Sequence, residues 1–309
     1  MLPIAATNWA LLVLPGLIWG ASFLFIAEGL AAVGPNGVTF ARIGIGFLAL
    51  SLVPAARRPI ARADWPATAG LGVLWLAFPL SMFPFAEQEV SSALTGMLNG
   101  ATPLFVAAVA SLLARRLPER GALVGLAVGV AGAVLMAVPD LGGPSRAGGI
   151  ALIVVALLSY GVALNLARPL QQRNGALPVL WRALGVAVLI TAPLGLPEVL
   201  NGHWSWRPAL AMLLLGALGT GLAPVLSAVA AGRMGATLAS STAFLIPVVA
   251  LVLGVTIRHE TVPLVSVAGA ATCLLGAAIV RRPDLLMRIV TSREAPTCAG
   301  PATAPRPGA

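Results

Sequence analysis

The chain contains no lysine: all nineteen of its basic residues are arginine, set against ten acids and two histidines. Charge of either sign is scarce, at 9% of residues, whereas a soluble domain carries about 25%. With 59% hydrophobic residues and a mean hydropathy of +0.96, too few polar side chains remain to coat a soluble globule. The net charge of +9 does not imply nucleic acid, because the arginines are scattered along the chain and form no basic face laced with aromatics. Cys273 and Cys298 are too few and too far apart for a disulfide framework or a metal site. The only histidines, His203 and His259, leave no HExxH pair, and neither a GxxxxGK[ST] phosphate loop nor a GxSxG elbow is present. No catalytic set, cofactor or metal is expected, and the chain is not read as an enzyme.

What the sequence has in abundance is long apolar runs. Runs of about 20 residues, the length a helix needs to cross about 30 Å of hydrocarbon, recur throughout. They fall at 8–27, 36–54, 66–86, 92–113, 121–138, 147–167, 176–197, 208–230, 236–257 and 261–280. The first has no basic leader and is followed by many more, so it reads as a first span and not a cleaved signal. The expectation is an all-α integral membrane protein with ten transmembrane helices, solvated by the lipid bilayer. Residues 283–309, rich in Pro, Ala and Gly, read as a disordered tail. With the N-terminus inside, the inner connectors and tail hold Arg57, Arg58, Arg62, Arg115, Arg116, Arg120, Arg168, Arg173, Arg233, Arg281, Arg282, Arg288, Arg293 and Arg306. The outer connectors hold only Arg146, Arg207 and Arg258. This asymmetry places both termini in the cytoplasm of a multi-pass protein of the plasma (inner) membrane.

The chain also repeats itself. A shift of 144 residues lays 93–141 over 237–285 without a gap, bringing Pro103 onto Pro247, Gly125 onto Gly269 and Gly132 onto Gly276. Nearer the start of each half, VTFARIG (38–44) is echoed by PVLWRALG (178–185), so Arg42 and Arg182 correspond. Five spans per half is an odd number, so the second copy enters the membrane upside down. That is the inverted-repeat plan of many secondary transporters, whose substrate site lies between the repeats near the midplane.

The segments WGASFLFIAEGL (19–30), GPNGVTFARIGIGFLAL (34–50) and AEQEVSSALTGMLNGATPLFVAAVA (86–110), set in this ten-span plan, resemble the drug/metabolite transporter superfamily, EamA type. The resemblance covers nearly all of residues 8–282. It implies two EamA-like five-helix repeats, 8–141 and 146–282, followed by the tail. The second half keeps HET at 259–261, similar to the family's Glu after the Pro247 helix, whereas the first half has Arg116 at the position of Glu260. The implied activity is secondary active transport of a small organic metabolite or drug across the plasma membrane by alternating access, with export as the direction. The alternative is a channel-like or lipid-handling membrane protein without coupled transport.

Several residues could carry such an activity. Pro103 and Pro247 each remove a helix hydrogen bond in mid-span, giving either a gating kink onto a central cavity or a kink needed for packing. Asn99, whose carbonyl Pro103 releases, and Thr95, with Ser241 in the second copy, would hydrogen-bond a substrate or tie helices together. Arg42 and Arg182 lie roughly 9 Å into their spans at 1.5 Å per residue, either facing a cavity or snorkelling to the interface. If it faces a cavity, Arg42 would attract an anionic group or pair with Glu28 or Glu87. Glu28 and Glu87, with Glu89, either carry a coupling proton or are solvated acids of the outer connectors. Trp19, Tyr160 and Trp181 would line the path. The glycines of 125–132 and 269–276 suit close packing, as scaffold or as a homodimer contact through helices five and ten.

Overall fold

In the computed structural model, residues 6–140 and 143–281 are described, and every regular element among them is helical. The expected tail, with Cys298, lies outside the described residues. Helix α1 (Ala6–Gly29) runs through the first apolar segment and ends in a turn before α2 (Pro35–Ser51). Pro35 opens α2, where its missing N–H costs no intrahelical bond. Helix α3 (Arg62–Ala86) follows a short loop. Helix α4 is broken, with α4a (Ser92–Asn99) and α4b (Thr102–Leu113) meeting at 41°. Then come α5 (Arg120–Ala137), α6 (Pro144–Asn174), α7 (Ala176–Leu200), α8 (Trp206–Met234), α9 (Ser241–Ile257) and α10 (Leu264–Arg281). One residue, Gly175, joins α6 to α7, and its φ of +85° is a conformation that only glycine adopts without strain.

Each helix overlaps one of the ten apolar segments. Seven, namely α1, α3, α5, α6, α7, α8 and α10, are long and apolar enough to cross a bilayer alone. The bent α4 makes up to eight, while α2, at 17 residues, and α9 are shorter. The exterior carries Leu48, Leu112, Leu189, Leu194 and Leu275, all largely exposed, a surface that suits lipid and not water.

The two halves interlock. Helices α5 and α10 run antiparallel at backbone contact. A Cβ on Gly125 would meet the Gly276 carbonyl at 2.9 Å, and one on Gly132 would meet the Gly269 carbonyl at 2.7 Å. Ser266 on α10 donates to the Met136 carbonyl at 3.0 Å. Under the 144-residue shift these glycine pairs exchange, so a local two-fold axis runs through the contact. The glycine faces are therefore consumed within one chain. A contact between copies through these helices would have to use their outward faces, such as Leu123, Val130 and Leu275. The exchange extends further. Gly16 lets α1 approach α9 at Leu245, and Gly161 lets α6 approach α4b at Phe105.

Candidate functional site

The two proline-marked helices meet where Pro247 packs on Gly100. Between α4a and α4b, Gly100 and Ala101 make short i→i−3 bonds to Met97 and Leu98, and Pro103 then opens α4b near its first position. The expected mid-helix kink is thus a full break and restart. The Asn99 carbonyl freed by the break is capped by Thr102 Oγ1, which donates at 2.6 Å. In the second half a 3-10 turn (Ser240–Phe244) precedes Pro247, and the Pro247 ring packs so tightly on Gly100 that no side chain fits between them.

A second pair of irregularities flanks this crossing. Helix α3 widens into a π-helical stretch at Gly72–Ala77, and α8 does so at Leu215–Leu222. A widened turn leaves carbonyls without their usual partner. Here the first helix of the opposite half supplies donors. Trp19 Nε1 donates to the Gly219 carbonyl at 2.9 Å, and Ser159 Oγ donates to the Leu74 carbonyl at 2.6 Å. A Cβ on Gly216 would sit 3.0 Å from the Arg42 carbonyl, and one on Gly72 would sit 2.7 Å from the Ala183 carbonyl. The widened turns were not among the expected features, although the 144-residue spacing of Gly72 and Gly216 is a readable signal of them.

One buried polar cluster lies beside α8. Arg42 is 8% exposed, and its Nε donates to Thr220 Oγ1 at 3.0 Å. Among the described residues it forms no ion pair within 4 Å, yet its charge is felt at Tyr160 and Glu87. Tyr160 packs against Phe83 at 6.0 Å between ring centroids. Glu87 follows the last residue of α3. Its side chain is partly covered, and both carboxylate oxygens are sealed from solvent with no donor among the described residues. An unsatisfied buried acid is expensive when charged. Burial accordingly pushes the Glu87 carboxyl well above the usual carboxylate range. The Glu260 charge adds to this push, and Arg258 and Arg42 oppose it. Glu89, two residues on, is exposed.

The other expected site residues are placed differently. Glu28 pairs with Arg258 at 3.0 Å and not with Arg42. Thr95 is wholly buried, and its hydroxyl donates to the Ser91 carbonyl one turn back. Ser241 donates to the Leu238 carbonyl, so its proton is likewise spent locally. Trp181 stacks on Phe47 at 5.4 Å, and its Nε1 donates to Ser51 Oγ, so it joins α7 to α2. Arg182 lies over the rings of Trp65 and Trp181, at 5.5 and 5.4 Å, and donates to its own Pro178 carbonyl. Trp19 has its only donor on Gly219. Among the described residues Asn99 keeps a long, 3.4 Å contact from Thr102 to its side-chain oxygen, so its amide is the least engaged polar group at the break. The structure therefore sets Arg42, Glu87 and Tyr160 in one electrostatic neighbourhood, pairs Glu28 with Arg258, and turns Arg182 and Ser241 to local partners. Sequence reasoning missed Thr220, Arg42's partner, because one threonine among small residues carries no distinguishing pattern.

Comparison with known proteins matches this architecture. The profile of the EamA-like transporter family fits the chain twice, at residues 8–138 and 147–282. A relative named "Probable terminal-alkyne amino-acid exporter", from Streptantibioticus cattleyicolor, is 28% identical over 296 residues, 94% of this chain and 96% of its own. The "Uncharacterized inner membrane transporter YedA" of Escherichia coli is 29% identical over 273 residues, 84% of this chain and 85% of its own. A crystal structure at 19% identity superposes with a TM-score of 0.60 over 92% of this chain and 97% of that one, which speaks for the fold alone. With both halves of its length matched, the chain is a member of the EamA-like transporter family, a multi-pass membrane protein of a transporter class.

Proposed function

We propose that the chain is a secondary active transporter that exports a small amino-acid-like zwitterion across the plasma membrane by alternating access. In this reading all ten helices span the bilayer, the two five-helix halves are inverted, and both termini are cytoplasmic. The observation that carries it is the unpaired interior couple of Arg42 and Glu87. One fixed cation and one acid without a donor, in electrostatic contact but not bonded, suit a ligand carrying one carboxylate and one ammonium group. The carboxylate would take the guanidinium of Arg42, and the ammonium would take Glu87 once that acid has lost its proton. Tyr160 and the Asn99 amide stand as orienting groups. The name of the Streptantibioticus relative points the same way, and the description of the Escherichia coli relative favours the inner membrane as location.

The test is counterflow of labelled amino acids into proteoliposomes holding the purified full-length chain. Saturable flux is expected for substrates with free α-amino and α-carboxyl groups, and N-acetylation or esterification should abolish it. Equal flux of blocked and free forms, or none across a broad amino-acid panel, would sink the zwitterion reading.

A further inference from the structure

Helix α4a is built unlike its neighbours. It is eight residues long, every residue from Ser92 to Leu98 is buried, and its inner end stops at the 41° break. At its outer end Ser91 accepts from the Leu94 N–H at 3.2 Å, which leaves earlier N–H groups of the first turn to be satisfied. Those donors belong to a carboxylate of the other half. Ser92 N–H and hydroxyl donate to Glu260 Oε1 at 3.1 and 2.7 Å, and Ala93 N–H donates to Oε2 at 2.9 Å. A carboxylate here also meets the positive end of the helix dipole.

Glu260 is itself held in place. Arg258 Nε lies 3.4 Å from its Oε1, and Arg258 Nη1 reaches Glu28 at the end of α1 at 3.0 Å. Glu260 N–H donates to the Gly254 carbonyl, with His259 held at a φ of +55° just before it. Gly254 keeps the pieces close, since a Cβ there would lie 2.6 Å from Glu260 Oε2. Against the flank of α4a lies a cavity of about 440 Å³, with Ser91, Leu94 and Met97 on one wall and Asp140, Val262 and Ser266 on the other. The 144-residue shift puts Arg116 at the place of Glu260, and Arg116 is exposed, so this arrangement occurs at only one end of the molecule.

We propose that α4a is the outer gate of the transport path, hinged at Gly100–Ala101 and latched shut by Glu260. The proposal rests on the transport reading above but not on its substrate. Opening breaks the Glu260 bonds to Ser92 and Ala93, swings α4a into the adjoining cavity, and carries with it the turn that bears Glu87. The Arg258 bridge to Glu28 holds the latch in register with α1.

The test reads the position of α4a without any substrate. In the full-length chain, Cys273 and Cys298 are replaced by alanine and a single reporter is introduced as Leu94→Cys, a site 2% exposed in the latched form. The chain is reconstituted in proteoliposomes, and the rate of modification by a membrane-impermeant, charged thiol reagent is measured from the outer face. Glu260→Ala should raise that rate about tenfold or more, Glu260→Gln less, and Glu28→Gln least. A second reporter, Leu184→Cys, which is wholly buried far from the latch, should stay unreactive in all three backgrounds. Unchanged reactivity at residue 94 in the Glu260 variants overturns the gate, because Glu260 is then a static cap. Equal gains at both reporters also overturn it, because the effect is then general loosening. A chain that transports no amino acid yet shows the selective gain keeps the gate and loses the zwitterion.

Discussion

Arg42 and Arg182 look like copies of one residue, each followed at a short distance by glycine in the second helix of its half. The packing separates them. Gly216 rests on the Arg42 carbonyl and on Ile45, and Gly72 rests on the Ala183 carbonyl and on Val186. These contacts relate α2 to α7 by 141 residues, so the mate of Arg42 is Ala183. Arg182, one position earlier, is turned by about 100°. Arg42 therefore enters the interior beside Thr220 and Glu87, and Arg182 lies among the aromatic rings of Trp65 and Trp181. The two halves share a scaffold of glycine and proline, while the charge of Arg42 has only Ala183 at its matching position in the other half.

The largest test of that contrast is transport by Arg42→Ala beside Arg182→Ala. Removing one member of a buried charge couple costs about 2–5 kcal/mol, or at least about 30-fold in affinity. Arg42→Ala should lose saturable flux in the proteoliposome assay, whereas Arg182→Ala should remain within about 3-fold of the unaltered chain, the scale of a weak cation–π contact. Equal losses would restore the two arginines as partners.

The shared scaffold has its own test. Gly72→Ala and Gly216→Ala should each lower thermal stability by about 1–3 kcal/mol, since each pushes a methyl group against backbone. Gly70→Ala, two residues away with nothing near it, should stabilise by up to about 1 kcal/mol. A neutral Gly216→Ala beside a damaging Gly72→Ala would break the equivalence of the widened turns.

A smaller effect concerns pH. The Glu87 carboxyl is raised in the folded chain, so the native state binds a proton that the unfolded chain has already released. Its contribution is favourable at low pH and is lost as pH rises from the ordinary carboxylate value through the raised native one. Glu87→Gln should flatten that slope in melting curves taken across pH, while also abolishing flux. A slope unaffected by the substitution would assign it elsewhere.

The smallest effect lies at the opposite end of the molecule. Asp64 accepts from Arg173 Nη2 at 2.7 Å and from Asn174 Nδ2 at 2.6 Å, and these bonds hold its carboxyl below the usual range. Its stabilising contribution is present near neutrality and fades as pH falls through the lowered native value. Because Arg173 is exposed and Asp64 only partly covered, Asp64→Asn should shift the melting temperature only slightly, and less in high salt.

The apolar segments were legible because a bilayer-spanning helix must be long and apolar. Their ends were less so. Helix α6 runs on to Asn174, well past the expected 167, because Arg168, Gln171 and Arg173 are polar yet good helix formers. The break in α4 was legible in Pro103, and its capping by Thr102 follows from the carbonyl that the break frees. The direction of side chains was not legible. Thr95 and Ser241 satisfied their own helix turns, and Trp19 reached across to a carbonyl that only a widened turn exposes. A one-residue slip between the halves hid the difference between Arg42 and Arg182, because the shift that aligns one pair of helices does not align the next.

The antiparallel contact of α5 and α10 has a further consequence. Gly125 faces Gly276 as Gly132 faces Gly269, so the interface is isologous: the same patch meets its own copy. A half-length chain bearing that patch would already be complementary to an upside-down twin, with no second sequence required. Joining two such halves in one polypeptide preserves the matching surface and releases each copy from having to serve in both orientations. Fusion is what permits arginine in one half where its counterpart keeps alanine, and a carboxylate latch at one face where the other carries arginine.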